Sequence, residues 1–188
     1  MMAYNTHKTM TRICQMALGS LTLAFILAVP SLSSATDDAV TAQADMRTGS
    51  GQDAGHVAFA QTPHGVLVHV TLQNISPGAH GFHLHETGIC AAGFQAAGGH
   101  YNPHGKEHGL KNNAGPHAGD MPNIIAMSDG SVMAEFITDR VSLNTGEKAT
   151  LLDQDGSAVI IHENADAHIP GETGGARLAC GVITLTSD

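Results

Sequence analysis

Six side chains in the middle of the chain have the types and spacing to hold metal ions. His83 and His85 stand two residues apart in GFHLHE (81–86). Alternate residues of an extended strand project to one face, so both imidazoles can reach a single ion. His100, His108, His117 and Asp120 follow at spacings of 8, 9 and 3. That pattern matches no regular face and suits a loop folded around an ion. Three imidazoles and a carboxylate form a donor set for tetrahedral zinc. Binding would tie down a segment otherwise costly to order, giving the ion a structural role besides its charge. The other reading of the same residues is a histidine-rich loop that holds no metal in a defined site.

Short strands are needed to carry these side chains. Val66, Val68, Val70 and Leu72 alternate with Leu67, His69, Thr71 and Gln73, the period of a half-buried strand. Further strands are expected at 56–61, 81–85, 132–136, 149–152, 158–162 and 182–185, separated by clusters of Gly, Pro, Asn and Asp. Several short strands with turns between them imply an all-β antiparallel sandwich or barrel. Residues 86–124 break the rhythm with nearly forty residues rich in Gly, His, Asn and Pro. A loop of that length is usually functional or disordered, and its ligand-type residues favour function.

At 188 residues with 22 glycines and 13% charged residues, the chain suits one loop-rich domain. Residues 1–35 read as an export signal: Lys8 and Arg12 precede a mostly apolar stretch from 16 to 29, and Ser33, Ser34 and Ala35 offer a cleavage site,. The apolar stretch is shorter than the roughly 20 residues of a membrane-spanning helix, so no membrane segment is expected after signal removal. Residues 36–54 are small and polar and read as a flexible lead-in, which places the domain at 55–188. Losing residues 1–35 removes two basic and no acidic side chains, making the formal charge of −9 two units more negative. An acidic domain without a Lys/Arg cluster excludes a nucleic-acid partner. Of the three cysteines, Cys14 leaves with the signal; Cys90 and Cys180 suggest one disulfide in an oxidising compartment,.

The segments GFHLHE (81–86), AGGHYNPHGKEHG (97–109), GPHAGDMPNI (115–124), HENAD (162–166) and GGARLACGVI (174–183) resemble those of the copper/zinc superoxide dismutases in order and spacing, over roughly residues 55–186. The resemblance implies an eight-stranded antiparallel Greek-key barrel or sandwich with long metal-binding loops. It implies copper on His83, His85, His100 and His162, and zinc on His100, His108, His117 and Asp120. His100 would then lose both ring protons to bridge two cations. Asp166 corresponds to a carboxylate that orients a histidine on each metal, expected to be His83 and His108. Arg177 corresponds to an arginine beside the open face of copper, and Cys180 to the partner of Cys90. The implied reaction is the dismutation of superoxide, a small anion, to dioxygen and hydrogen peroxide, with Arg177 and His100 as its catalytic residues.

Cys90 lies five residues after His85, which resembles the bacterial secreted branch and agrees with a periplasmic or secreted location. A homodimer is left open, since bacterial relatives pair differently from eukaryotic ones and some are monomers. The segment between Asp166 and Arg177 contains no lysine, leaving Lys106 and Lys111 as candidates to steer an anion. His104 has no role in the resemblance, and His80 is expected to make a structural hydrogen bond. Two other classes compete. One is a periplasmic copper/zinc-binding protein without turnover, which would have no need of Arg177. The other is a zinc hydrolase suggested by His162 and Glu163, but Asp166 stands where H-E-x-x-H requires its second histidine,.

Overall fold

Alternating burial builds most of the sheet. In the computed structural model, which describes residues 40–186, the strands are β1 Thr41–Thr48, β2 Asp53–Thr62, β3 Gly65–Leu72, β4 Gly78–His80, β5 Phe82–His85, β6 Ile124–Ala126, β7 Val132–Thr138, β8 Ala158–His162 and β9 Arg177–Leu185. The expected export signal lies outside the described residues. Seven strands pair antiparallel in the order β5-β8-β9-β1-β2-β3-β7, and β4 pairs with β6. Only Gly81 separates β4 from β5, so one extended run crosses from the small sheet to the large one. Counted as one, β4 and β5 make the strands eight. The chain leaves the β1-β2-β3 meander to reach β4 and β5, then returns to lay β7 beside β3, as expected for a Greek-key barrel.

Inward-facing side chains of both sheets fill the interior. Val57, Phe59, Val66, Val68, Phe82, Leu84, Val132 and Ile161 are buried there, and Phe82 meets Phe136 edge-on with centroids 5.6 Å apart. Among the described residues the one helical element is a 3-10 turn, Gln95–Ala97, and none is long and apolar enough to cross a membrane. A disulfide joins Cys90 to Cys180, tying the loop after β5 to β9. Closing a loop across 90 residues stabilises the fold by about 4–5 kcal/mol in the chain-entropy account.

Two expectations need correction. Residues 41–48 are no flexible lead-in: β1 lies between β2 and β9, with Ala42, Ala44 and Met46 fully buried. The domain therefore begins before residue 55. Its inward residues are mostly alanines, whose small apolar area conceals the period of two until neighbouring strands cover them. Residues 149–152 form a turn rather than a strand. Leu151 plugs the core there, and its N–H donates to Ser142 O at 2.9 Å.

Close backbone approach fixes the long loop against β5. A Cβ on Gly119 would lie 2.2 Å from Leu84 O, so only glycine permits the contact. Gly119→Ala is expected to lower the urea midpoint of the metal-free protein by the equivalent of about 2 kcal/mol. Gly49→Ala, whose Cβ meets nothing within 4 Å, is expected to leave the midpoint in place.

Candidate metal centre

Phe82 and Leu84 enter the core, which turns His83 and His85 to the other face of β5,. That face is covered by the loop. Leu84 N–H donates to Gly119 O (2.9 Å), Leu84 O accepts from Tyr101 N–H (2.8 Å), and Gly119 N–H donates to Tyr101 O (2.9 Å). These bonds set Asp120 opposite His83 and His100 opposite His85. Tyr101 anchors the segment by donating its hydroxyl to Thr150 O at 2.6 Å. Burial, reinforced by Asp153 and Asp155, pushes that phenol up to about 12, so it remains a donor. His80 makes the structural bonds expected of it, its ring spanning His162 O (2.8 Å) and Ser76 O (2.7 Å).

The ligand-type side chains fall into two groups that share His100. Atoms of His83, His85, His100 and His162 lie within 4.8 Å of one another, and so do those of His100, His108, His117 and Asp120. In the first group each outer nitrogen is committed. His83 Nε2 donates to Asp166 Oδ2 (2.7 Å), His85 Nδ1 to Gly98 O (3.0 Å) and His162 Nδ1 to Gly175 O (3.0 Å). These bonds fix the neutral tautomers. Each inward nitrogen, His83 Nδ1, His85 Nε2 and His162 Nε2, is then a bare lone pair buried without a partner. Unsatisfied buried acceptors are costly, and three converging ones fit a cation.

The second group makes the same case more sharply. Asp120 Oδ1 lies 2.7, 3.0 and 3.3 Å from Nδ1 of His100, His108 and His117. Ligands about 2.0–2.1 Å from a tetrahedral zinc ion would stand about 3.3 Å apart. His108 Nε2 faces only acceptors, namely both Asp166 oxygens at 3.1–3.2 Å and Glu172 O at 2.9 Å. A neutral His108 must spend its proton there, leaving a lone pair aimed at a carboxylate oxygen. Either a second proton or a metal ion resolves that clash. Asp120 Oδ2 accepts from Gly109 N–H (2.9 Å) and His117 N–H (3.0 Å). Burial alone would raise Asp120, but the bonds from His100 and Gly109 and the charge of His108 hold it well below the usual carboxylate range.

The copper/zinc superoxide dismutase (SODC) family profile matches this chain over residues 53–183. A superoxide dismutase [Cu-Zn] of Caulobacter vibrioides is 43% identical over 148 residues, covering 76% of this chain and 85% of that protein. A superoxide dismutase-like protein of Bacillus subtilis, YojM, is 41% identical and covers 71% and 70%. Among solved structures, a SOD-like protein from Bacillus subtilis superposes with a TM-score of 0.71 at 38% identity, covering 74% of this chain and 96% of that one. The Cu/Zn superoxide dismutase from Brucella abortus gives 0.63 at 29%, covering 77% and 99%. The chain belongs to the copper/zinc superoxide dismutase family. Membership makes it an oxidoreductase of the superoxide dismutase type, with copper and zinc as its metals.

Around this copper/zinc centre, Arg177 opens β9 and lines a pocket of about 420 Å³ with His85, His100, His117, His162 and Thr173. Its guanidinium donates from Nη1 to Phe94 O (2.5 Å) and from Nη2 to Gly98 O (2.7 Å). Lys106 lines a different cleft, with His104 and Arg140, while Lys111 Nζ donates to Ala167 O at 3.1 Å. Neither lysine lines the Arg177 pocket. Two supports escaped sequence reasoning. Asn123 clamps the Asp166 backbone through two 2.9 Å bonds, and Arg140 Nη2 donates to Asp120 O at 2.6 Å. The only sequence signal for Asn123 was its place in GPHAGDMPNI, and nothing in the local pattern marked Arg140.

Burial pushes His83 and His162 down to about 4 and His85 to about 2. Asp166 also lies well below its ordinary range, because bonds from His83, His168 N–H and His108 outweigh its burial. For the lowered histidines, the unfolded chain binds more protons than the folded one between their folded values and 6.5,. Their stabilisation is complete above 6.5 and is lost on acidification. His108 is raised, since Asp120 and Asp166 outweigh its burial, and its opposite contribution falls at higher pH. The denaturation midpoint of the metal-free protein is therefore expected to fall from pH 6.5 to 4, and His83→Gln to shallow that slope. A midpoint independent of pH across this interval would contradict neutral buried imidazoles.

Proposed function

We propose that this chain catalyses the dismutation of superoxide, with copper on His83, His85, His100 and His162 and zinc on His100, His108, His117 and Asp120. The observation that carries the reading is the sharing of His100 between the two ligand groups beside a pocket lined by Arg177. When bound, copper supplies one-electron redox chemistry, and zinc supplies a fixed charge without changing oxidation state. Two superoxide anions and two protons become one dioxygen and one hydrogen peroxide.

The side chains provide position and protons. Arg177 presents a permanent cation to the entering anion, steadied by its bonds to Phe94 O and Gly98 O. His100 meets Asp120 through Nδ1, and its Nε2 would hold either copper or one proton for the product. Asp166 keeps one nitrogen each of His83 and His108 occupied, so the opposite nitrogens face the metals. His117 and Asp120 tie the loop to the zinc side.

Export to the periplasm or outside the cell is supported by the Cys90–Cys180 disulfide, and by the signal-type composition of residues 1–35. The name of the Bacillus relative, superoxide dismutase-like, motivates a second reading in which the metals are bound without turnover. Protein loaded with both metals, assayed with excess EDTA to silence unbound copper, is expected to accelerate superoxide decay well beyond the metal-free protein. Arg177→Ala should lower kcat/KM by about 10–100-fold, the loss of a charge-assisted contact, at unchanged metal content. Decay no faster than with the metal-free protein under the same chelator would instead assign the chain to metal binding alone.

A further inference from the structure

The peptide unit joining Gly98 to Gly99 is held from both ends. Its carbonyl accepts from His85 Nδ1 at 3.0 Å and from Arg177 Nη2 at 2.7 Å. Its N–H donates to Glu86 Oε1 at 2.9 Å. Glu86 N–H in turn donates to Gly99 O at 3.0 Å. Gly98 sits at φ 75°, and a Cβ there would lie 2.7 Å from Glu86 Cγ and Oε1, so the acid packs against the peptide it binds. Glu86 itself faces another cleft, with Tyr101, Lys148, Asp153 and Asp155, and does not line the Arg177 pocket.

We propose that Glu86 is a positioning residue that holds Arg177 and His85 in place through the Gly98–Gly99 peptide unit. This rests on the reading of Arg177 as the group that receives the anion. Two physical effects act together. Glycine on both sides of a peptide gives it wide rotational freedom, and the carboxylate pins one orientation by a charge-assisted bond. The amide is conjugated, so an acceptor at its N–H adds electron density to its carbonyl and strengthens what that oxygen accepts. Without the pin the carbonyl can turn away. Arg177 would then keep only Phe94 O, and the guanidinium would pivot about Nη1.

Charge alone predicts the opposite, because removing a nearby carboxylate should draw an anion in more tightly. The sign of the effect therefore separates the two accounts. Azide is titrated into the copper- and zinc-loaded protein and followed through the visible spectrum of the bound copper. Glu86→Ala is expected to weaken azide binding by about tenfold. Glu86→Gln, whose amide oxygen still accepts from Gly99 N–H, should bind at least as tightly as the parent. Glu86→Ala should weaken the Arg177→Ala variant by much less than it weakens the parent, since most of its effect passes through Arg177.

A metal-free readout accompanies this one: exchange of the Arg177 guanidinium protons, measured by NMR, should accelerate in Glu86→Ala and not in Glu86→Gln. Unchanged or tighter azide binding in Glu86→Ala, full additivity in the double variant, or no recovery in Glu86→Gln would each overturn the proposal. If the parent protein neither responds to azide nor accelerates superoxide decay, the functional reading fails instead. The proton exchange then decides the role of Glu86 by itself: acceleration in Glu86→Ala upholds the positioning role and unchanged exchange removes it.

Discussion

A nitrogen lone pair buried with nothing opposite it costs free energy, and the centre of this protein gathers several of them. His83, His85 and His162 each spend their only ring proton on an outward acceptor, and each turns a bare nitrogen inward. His108 meets the same constraint in the second group, where its inward nitrogen faces a carboxylate oxygen. Such an arrangement is stable when cations occupy the space between the donors. The proton assignments are therefore part of the architecture: Gly98 O, Gly175 O and Asp166 decide which nitrogen of each ring can bind a metal.

The barrel makes that arrangement affordable by burying both faces of one strand. Phe82 and Leu84 lock β5 into the core, while the loop closes over His83 and His85. The loop itself has little regular structure, so it depends on backbone bonds to Leu84 and on the disulfide to hold one shape. Arg140 braces it from outside by gripping the backbone of Asp120, and Asn123, at the loop's end, grips the backbone of Asp166. Ordering so long a segment is entropically expensive, so metal ions held by its side chains would be structural as well as chemical.

Charge is partitioned on the same principle. The chain is acidic overall, yet the pocket above the four-histidine group contains a fixed arginine. A short-range field in a partly desolvated cleft outweighs distant surface charge that salt screens. The lysines considered for steering stand elsewhere, Lys106 over a separate cleft and Lys111 tied to Ala167 O. Arg177 therefore carries the local positive charge on the protein side of the pocket.

Sequence alone determined the ligand types and most of the sheet. Metal binding needs particular side chains, so His83, His85, His100, His108, His117 and Asp120 announce themselves wherever the chain takes them. Strand β3 was equally legible, because valines alternating with polar residues leave a strong period of two. Strand β1 was hidden because alanine carries too little apolar area to reveal a pattern, and its burial is conferred by β2 and β9. Only the tertiary structure decided which nitrogen of each imidazole is free, that Asn123, Arg140 and Glu86 hold backbone near the site, and that the two glycines at 98 and 99 join Arg177 to His85. Those choices rest on contacts between residues distant in the chain, made through main-chain atoms common to all residue types. Local sequence cannot encode them.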